Sequence, residues 1–235
     1  MRKRHWVVAL GALAVIVSFG ADSALAGQVR GKVAGADKLV PSIYSELAKL
    51  ESHHYTWREP SPTVKSDFRV LSANPSRDIC IAAISAGTAQ PHEAIQITVT
   101  GGHTVPTTIA VSPGTKLLFV NHDPFNHRLY QVNGDFKETE TTPGGSRDWT
   151  APGAGMYEFR DKSTPSLRFY VVVDTGVVEV VYPGHNGTFA FRDLPTGDYF
   201  LKAFFNGKQV GKPVQAVATR GTLELKEPLT LEEAK

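Results

Sequence analysis

Ile95-Gln96-Ile97-Thr98-Val99 alternates apolar and polar residues, and Ile109 and Val111 repeat the pattern before the turn Ser112-Pro113-Gly114. A period of two is the mark of a strand with one face buried. Leu117 to Val120 follows as a continuous apolar strand. Working outward, strand-length runs recur at Leu129–Val132, Met156–Phe159, Phe169–Val173 and Val177–Val181, then at Phe189/Phe191, Tyr199/Leu201/Ala203/Phe205 and Leu223/Leu225. Gly/Pro turns separate them at intervals of about ten residues, the spacing of antiparallel sandwiches. Repeated helical crossovers, which a parallel α/β fold requires, are missing. The chain is therefore all-β. One segment fits a helix or a strand: Ile43, Leu47 and Leu50 fall at i, i+4 and i+7, while Ile43, Ser45 and Leu47 would also share a strand face.

The 235 residues hold 25 Lys+Arg, 23 Asp+Glu and one Cys. The single Cys excludes an internal disulfide framework and a Cys-based zinc site. Arg2, Lys3 and Arg4 precede the apolar run Trp6–Phe19, and Ala24-Leu25-Ala26 has the small-x-small form of a cleavage site. Residues 1–26 read as an export signal, which places the mature protein in the periplasm or outside the cell. An uncleaved N-terminal anchor is the alternative. Without that segment the chain has 22 basic and 22 acidic residues, having lost three basic residues and Asp22. No Lys/Arg cluster remains, so nucleic acid is excluded as a partner. After cleavage no stretch approaches the length of a membrane span. Cys80 lies in Asp78-Ile79-Cys80-Ile81-Ala82-Ala83-Ile84, an apolar run of strand length in which burial is expected.

Residues 95–174 resemble the cupredoxin fold. The resemblance rests on Ile95–Val99, Val105-Pro106, Ile109–Gly114 and Leu118-Phe119-Val120-Asn121-His122-Asp123-Pro124-Phe125-Asn126-His127. In cupredoxins a strand ending in Phe-x-Asn is followed by an Asp and then by a His, the first copper ligand, and His127 occupies that place. The same resemblance puts a Cys, a His and usually a Met after Phe159. Here the chain reads Arg160-Asp161-Lys162-Ser163-Thr164-Pro165-Ser166-Leu167-Arg168-Phe169, with Leu167 the nearest stand-in for the Met. A blue-copper centre needs a thiolate, two imidazoles and a weak axial ligand. The resemblance thus implies a cupredoxin scaffold with most of its ligands lost and no copper cofactor, Arg160 and Lys162 adding positive charge where a cation would sit. The alternative is a metal-binding or electron-transfer protein with a different site, anchored by His127 and using His122, Asp123 or Asp161. Otherwise His127 is a hydrogen-bonded loop histidine, and Asp161 lies in a solvated turn or local ion pair.

Residues 175–228 resemble another family. Gly187-Thr188-Phe189-Ala190-Phe191-Arg192-Asp193-Leu194-Pro195-Thr196-Gly197-Asp198-Tyr199-Phe200-Leu201 is similar to the carboxypeptidase regulatory-like, or transthyretin-like, module. Phe189 and Phe191 share one strand face, Pro195 and Gly197 turn the chain, and Tyr199 and Leu201 return on the next strand. That family's first strand resembles Gly27-Gln28-Val29-Arg30-Gly31-Lys32-Val33. Val29–Val33 is accordingly expected to pair with a strand of residues 177–225, which makes the cupredoxin-like unit an insertion.

The expected organisation is a signal peptide (1–26), an N-terminal segment (27–90) whose first strand joins the C-terminal module, a cupredoxin-like Greek-key β-sandwich (91–174), a smaller transthyretin-like (prealbumin-like) β-sandwich (175–228) and a polar tail (229–235). No Gly-x-Ser-x-Gly elbow, phosphate loop or His-Glu-x-x-His pair is present. The sequence therefore reads as an exported, non-catalytic binding or scaffold protein with a protein or carbohydrate partner. Tyr44, Tyr55 and Trp57 offer aromatic faces for such a ligand, and His53-His54 stands beside them.

Overall fold

The computed structural model describes residues 26–39 and 73–232. The export segment up to Leu25, the helix-or-strand segment 41–51, and Tyr44, His53, His54, Tyr55 and Trp57 lie outside the described residues. The described residues form sixteen strands: β1 (Ala26–Ala34), β2 (Ile79–Ser85), β3 (Ile95–Thr100), β4 (His103–Val105), β5 (Thr108–Val111), β6 (Lys116–Asn121), β7 (Leu129–Gln131), β8 (Ser146–Thr150), β9 (Gly155–Asp161), β10 (Arg168–Val173), β11 (Val177–Val181), β12 (Thr188–Pro195), β13 (Gly197–Phe205), β14 (Lys208–Ala218), β15 (Thr222–Glu224) and β16 (Leu229–Thr230). Among the described residues the helical pieces are one turn at Pro75–Asp78 and a 3₁₀ turn at Ala36–Lys38, and no helix is long and apolar enough to cross a membrane. The molecule is all-β.

The strands form four sheets, ordered β12-β1-β15 with β16 also on β1, β11-β2-β13-β14, β4-β3-β6-β8, and β5-β10-β9-β7. The alternation in β3 puts Ile97 and Val99 into a core with Leu117, Phe119 and Trp149 of their own sheet. Ile109, Leu129, Phe159, Phe169 and Val171 close that core from the β5-β10-β9-β7 sheet. Parallel pairs occur within this sandwich: Val171 lies opposite Ile109, and Ile97 opposite Phe119. At Gly114 the turn before β6 has φ 83°, where a Cβ is strained and glycine is favoured.

The second sandwich packs Val29, Val33, Phe189, Phe191 and Leu194 against Ile79, Ile81, Leu201 and Ala203. β1 runs antiparallel to β12, with Val29 opposite Phe191, so Val29–Val33 does pair within the 177–225 region. β2, just ahead of β3, is also part of this sandwich and pairs with β11 and β13. The tail departs from its polar reading. Leu229 and Leu231 are buried on either side of Thr230, and β16 adds in parallel to β1. Their period-two spacing delivers both leucines to one face.

A third core joins the sandwiches. Cys80, Ala82, Ile84, Val177 and Phe204, all from the β11-β2-β13-β14 sheet, meet Ala110 of β5. β2 thus buries both faces, its odd residues in one core and its even residues in another. That explains why 79–84 is continuously apolar where most strands of the chain alternate. Cys80 is fully buried, and burial pushes its thiol up to about 12.

Candidate functional site

β6 ends at Asn121, whose buried side chain organises the loop that follows. Its amide nitrogen donates to the carbonyls of Phe125 (2.8 Å) and Thr141 (3.0 Å), and its Oδ1 accepts from the Asp123 N–H at 2.8 Å. These bonds replace the ladder that stops at the strand end, as Asn commonly does in turns. The loop is thereby folded back so that His127 pairs with Thr141 through both backbone groups. The His127 side chain is buried at 2% exposure, under the ring of half-exposed Phe125, whose centroid is 4.9 Å away.

Both edges of the imidazole face carboxylates. Nε2 lies 2.9 Å from Asp123 Oδ2, in hydrogen-bond geometry. An ionised carboxylate can only accept, so this nitrogen carries the proton. Nδ1 lies 3.3 Å from Asp161 Oδ2, a close contact that lacks hydrogen-bond alignment. Asp123 also accepts the Gly101 N–H (2.6 Å) and the Gly102 N–H (3.2 Å). Burial alone would raise the Asp123 carboxyl. The Gly101 N–H, the His127 ring and the Gly102 N–H outweigh burial and hold it below the ordinary range. Asp161 accepts the N–H groups of Arg128 (2.8 Å) and Thr164 (2.7 Å).

Of the candidate metal ligands, the fold brings together His127, Asp123 and Asp161 and leaves His122 on the surface. Asp161 is 3% exposed and does not lie in a solvated turn. The reason is strand parity: Asp161 is two residues beyond the core residue Phe159 and shares its face, while Arg160 points the other way. Arg160 binds Glu158 at 2.6 Å, and Lys162 lies 3.5 Å from Glu138, so their charges are not directed at His127.

This arrangement does not fit a blue-copper ion. The two ring nitrogens of one imidazole diverge, and each faces its own carboxylate. The thiol of Cys80 belongs to the core between the sandwiches, and Leu167 is packed among Phe159 and Phe169. Among the described residues no group of three or more His, Cys, Asp and Glu side chains is disposed to hold a metal ion. The His127 arrangement links three segments of the chain. It ties the turn at Gly101-Gly102, the loop at 122–128 and the loop at 161–164 to one buried ring.

The Gly101-Gly102 turn also walls a second feature. A groove of about 540 Å³ runs along the seam between the sandwiches, with Gly101, Gly102, His103, Ser166 and Arg168 on one side and Arg77, Phe205 and Asn206 among the residues facing them. Gly102, at φ 73°, allows close approach of the loops: a Cβ there would lie 2.9 Å from Thr164 Cγ2. Arg77 reaches Asp78 through Nε (2.7 Å) and Nη2 (3.1 Å), and Asp78 also accepts from the Asn74 N–H and the Thr107 hydroxyl. A second hollow of about 480 Å³ is lined by residues 130–138 and Lys162.

No family model matches the chain, and no curated protein is similar to it. Solved structures similar to part of it include cupredoxins. A reduced-state amicyanin variant is 19% identical over 40% of this chain and 99% of its own, with a TM-score of 0.32. An oxidised amicyanin variant gives 19%, 40%, 98% and 0.33 for the same quantities. A purple cupredoxin from Nitrosopumilus maritimus is 19% identical over 34% of this chain and 99% of its own, with a TM-score of 0.31. The likeness concerns the β-sandwich architecture and goes no further.

Sequence reasoning singles out His127, Asp123 and Asp161 but misses every residue of the groove. Parity from Phe159 is the signal that would have buried Asp161. Arg77, His103, Arg168 and Asn206 carry no linear signal, since only the packing of the two sandwiches brings them together.

Proposed function

We propose that the protein is an exported, non-catalytic binding or scaffold protein in which a cupredoxin-like sandwich carries a carboxylate–imidazole–carboxylate clamp where its relatives' architecture would carry copper. The observation that supports this reading is the environment of His127, whose two nitrogens each face a separate buried carboxylate at 2.9 and 3.3 Å. Buried carboxylates persist when they are hydrogen-bonded, and both Asp123 and Asp161 find N–H donors within the chain. The sequence adds the export signal and the lack of any nucleophile–base motif. The C-terminal sandwich, read as a transthyretin-like module, supplies a second rigid body for attachment.

The test is titration of the mature protein with Cu(II), Cu(I) and Zn(II). The expected outcome is no stoichiometric binding and no intense visible absorption near about 600 nm, the region in which a thiolate-ligated cupric centre would absorb. Micromolar or tighter binding that disappears in His127→Ala would overturn the reading and establish a metal protein anchored by His127.

A further inference from the structure

The seam groove has an imbalance of hydrogen-bonding groups. Its acidic side chain, Asp78, is 8% exposed and already accepts from Arg77, Asn74 and Thr107. Its donors are less occupied. Arg168 reaches Glu158 only at 3.7 Å, and that carboxylate already holds Arg160 at 2.6 Å. His103 donates its Nδ1–H to the Gly101 carbonyl at 3.2 Å, and its Nε2, an acceptor in that tautomer, has no partner among the described residues. The Ser166 hydroxyl and the Asn206 side-chain amide likewise have no partner among the described residues, and both line the groove. The pair Arg77–Asp78 is neutral, and Arg160 and Arg168 share one Glu158, so the groove carries net positive charge at Arg168. A donor-rich, cationic concavity is complementary to an acceptor-rich anion.

Two further observations narrow the class. Tyr170 and Phe205 present half-buried aromatic surface beside those donors, the combination that holds a ring with one apolar face and a polar periphery. The volume of about 540 Å³ lies within the range of about 300–1,000 Å³ usual for small-molecule sites. The walls are also preformed. Asp123 holds Gly101 and Gly102, Asp161 holds Thr164, and His127 joins the two carboxylates, so loops on both sides of Gly102 are fixed before any ligand arrives. Preorganisation of this kind lowers the ordering cost of binding.

From this juxtaposition we infer that the groove between the sandwiches is a binding site for an acidic saccharide, its carboxylate on Arg168, its ring against Tyr170, and its hydroxyls on His103 Nε2, Ser166 and Asn206. The inference rests on the reading of the chain as a binding protein and names the ligand class. The experiment is calorimetric titration of the full mature protein with trigalacturonate, with its methyl ester, which keeps the hydroxyls and removes the charge, and with citrate, a carboxylate without a sugar ring. Trigalacturonate should bind at least about tenfold more tightly than the ester and citrate, the difference expected of a charge-assisted hydrogen bond. Arg168→Gln should weaken it by at least about tenfold. Ser166→Trp removes no charge from an exposed position and fills the groove, so it should abolish binding while leaving the melting temperature unchanged. That variant keeps the test decisive if Arg168→Gln does not fold. Absence of trigalacturonate binding, equal binding of the ester or citrate, or binding that survives Ser166→Trp would each overturn the inference. Such a failure leaves the metal titrations untouched, so failure of the ligand class and failure of the binding-protein reading are told apart.

Discussion

Replacing His127 by Phe isolates what the buried imidazole does, because it keeps ring volume and removes both nitrogens. Asp123 and Asp161, 6% and 3% exposed, would then lose their shared partner inside the protein. Removing the partner of a buried carboxylate leaves its charge uncompensated and costs about 3–5 kcal/mol. Each carboxylate keeps two backbone N–H donors, from Gly101 and Gly102 for Asp123 and from Arg128 and Thr164 for Asp161. Those donors offset part of the lost solvation, so the low end, about 3 kcal/mol, is expected. For a protein of this size 1 kcal/mol moves the midpoint by about 2–4 °C, which gives a fall of about 6–12 °C. His127→Ala should fall at least as far, since it adds a cavity. Calorimetric melts at pH 7 of the wild type, both variants and the triple variant with Asp123→Asn and Asp161→Asn form the assay. The triple variant should recover part of the loss by removing the stranded charges. A His127→Phe protein as stable as the wild type would refute the reasoning and reduce the imidazole to a space filler.

Two further outcomes follow from the same chemistry. The Asp123 carboxyl is held below its ordinary 3.8, so its stabilising contribution is fully present above that pH and is lost as pH falls through the lower folded value. The stability gap between wild type and Asp123→Asn should therefore narrow on acidification below about pH 4, and a gap constant between about pH 2 and 7 would contradict the assignment. Cys80 is fully buried, with its thiol pushed up to about 12, so native protein at pH 8 should not react with a thiol reagent. Complete labelling is expected only in denaturant, and stoichiometric labelling of the native state within minutes would show that the core joining the sandwiches opens.

Local pattern was enough to read the strands. Period-two alternation at Ile95–Val99 and in the Phe189–Leu201 stretch identified half-buried strands, because a pleated strand sends neighbours to opposite faces whatever sheet it joins. The unbroken apolar run at 79–84 marked a strand, yet its reason came only from packing, since β2 lies between two cores. Leu229 and Leu231 were hidden among charged neighbours, and their burial depends on pairing with β1, some two hundred positions away. At the candidate site the spacing from Asn121 to His127 was legible, because one loop carries it. Asp161 was among the candidates there, but its burial on the far side of His127 comes from strand pairing across the sheet, where Leu129 lies opposite Asp161. The groove stands furthest from the sequence: Arg77, His103, Arg168 and Asn206 become neighbours only when two sandwiches dock. Periodicity is a property of the backbone and can be read along the chain, whereas a convergent set of side chains is a property of packing.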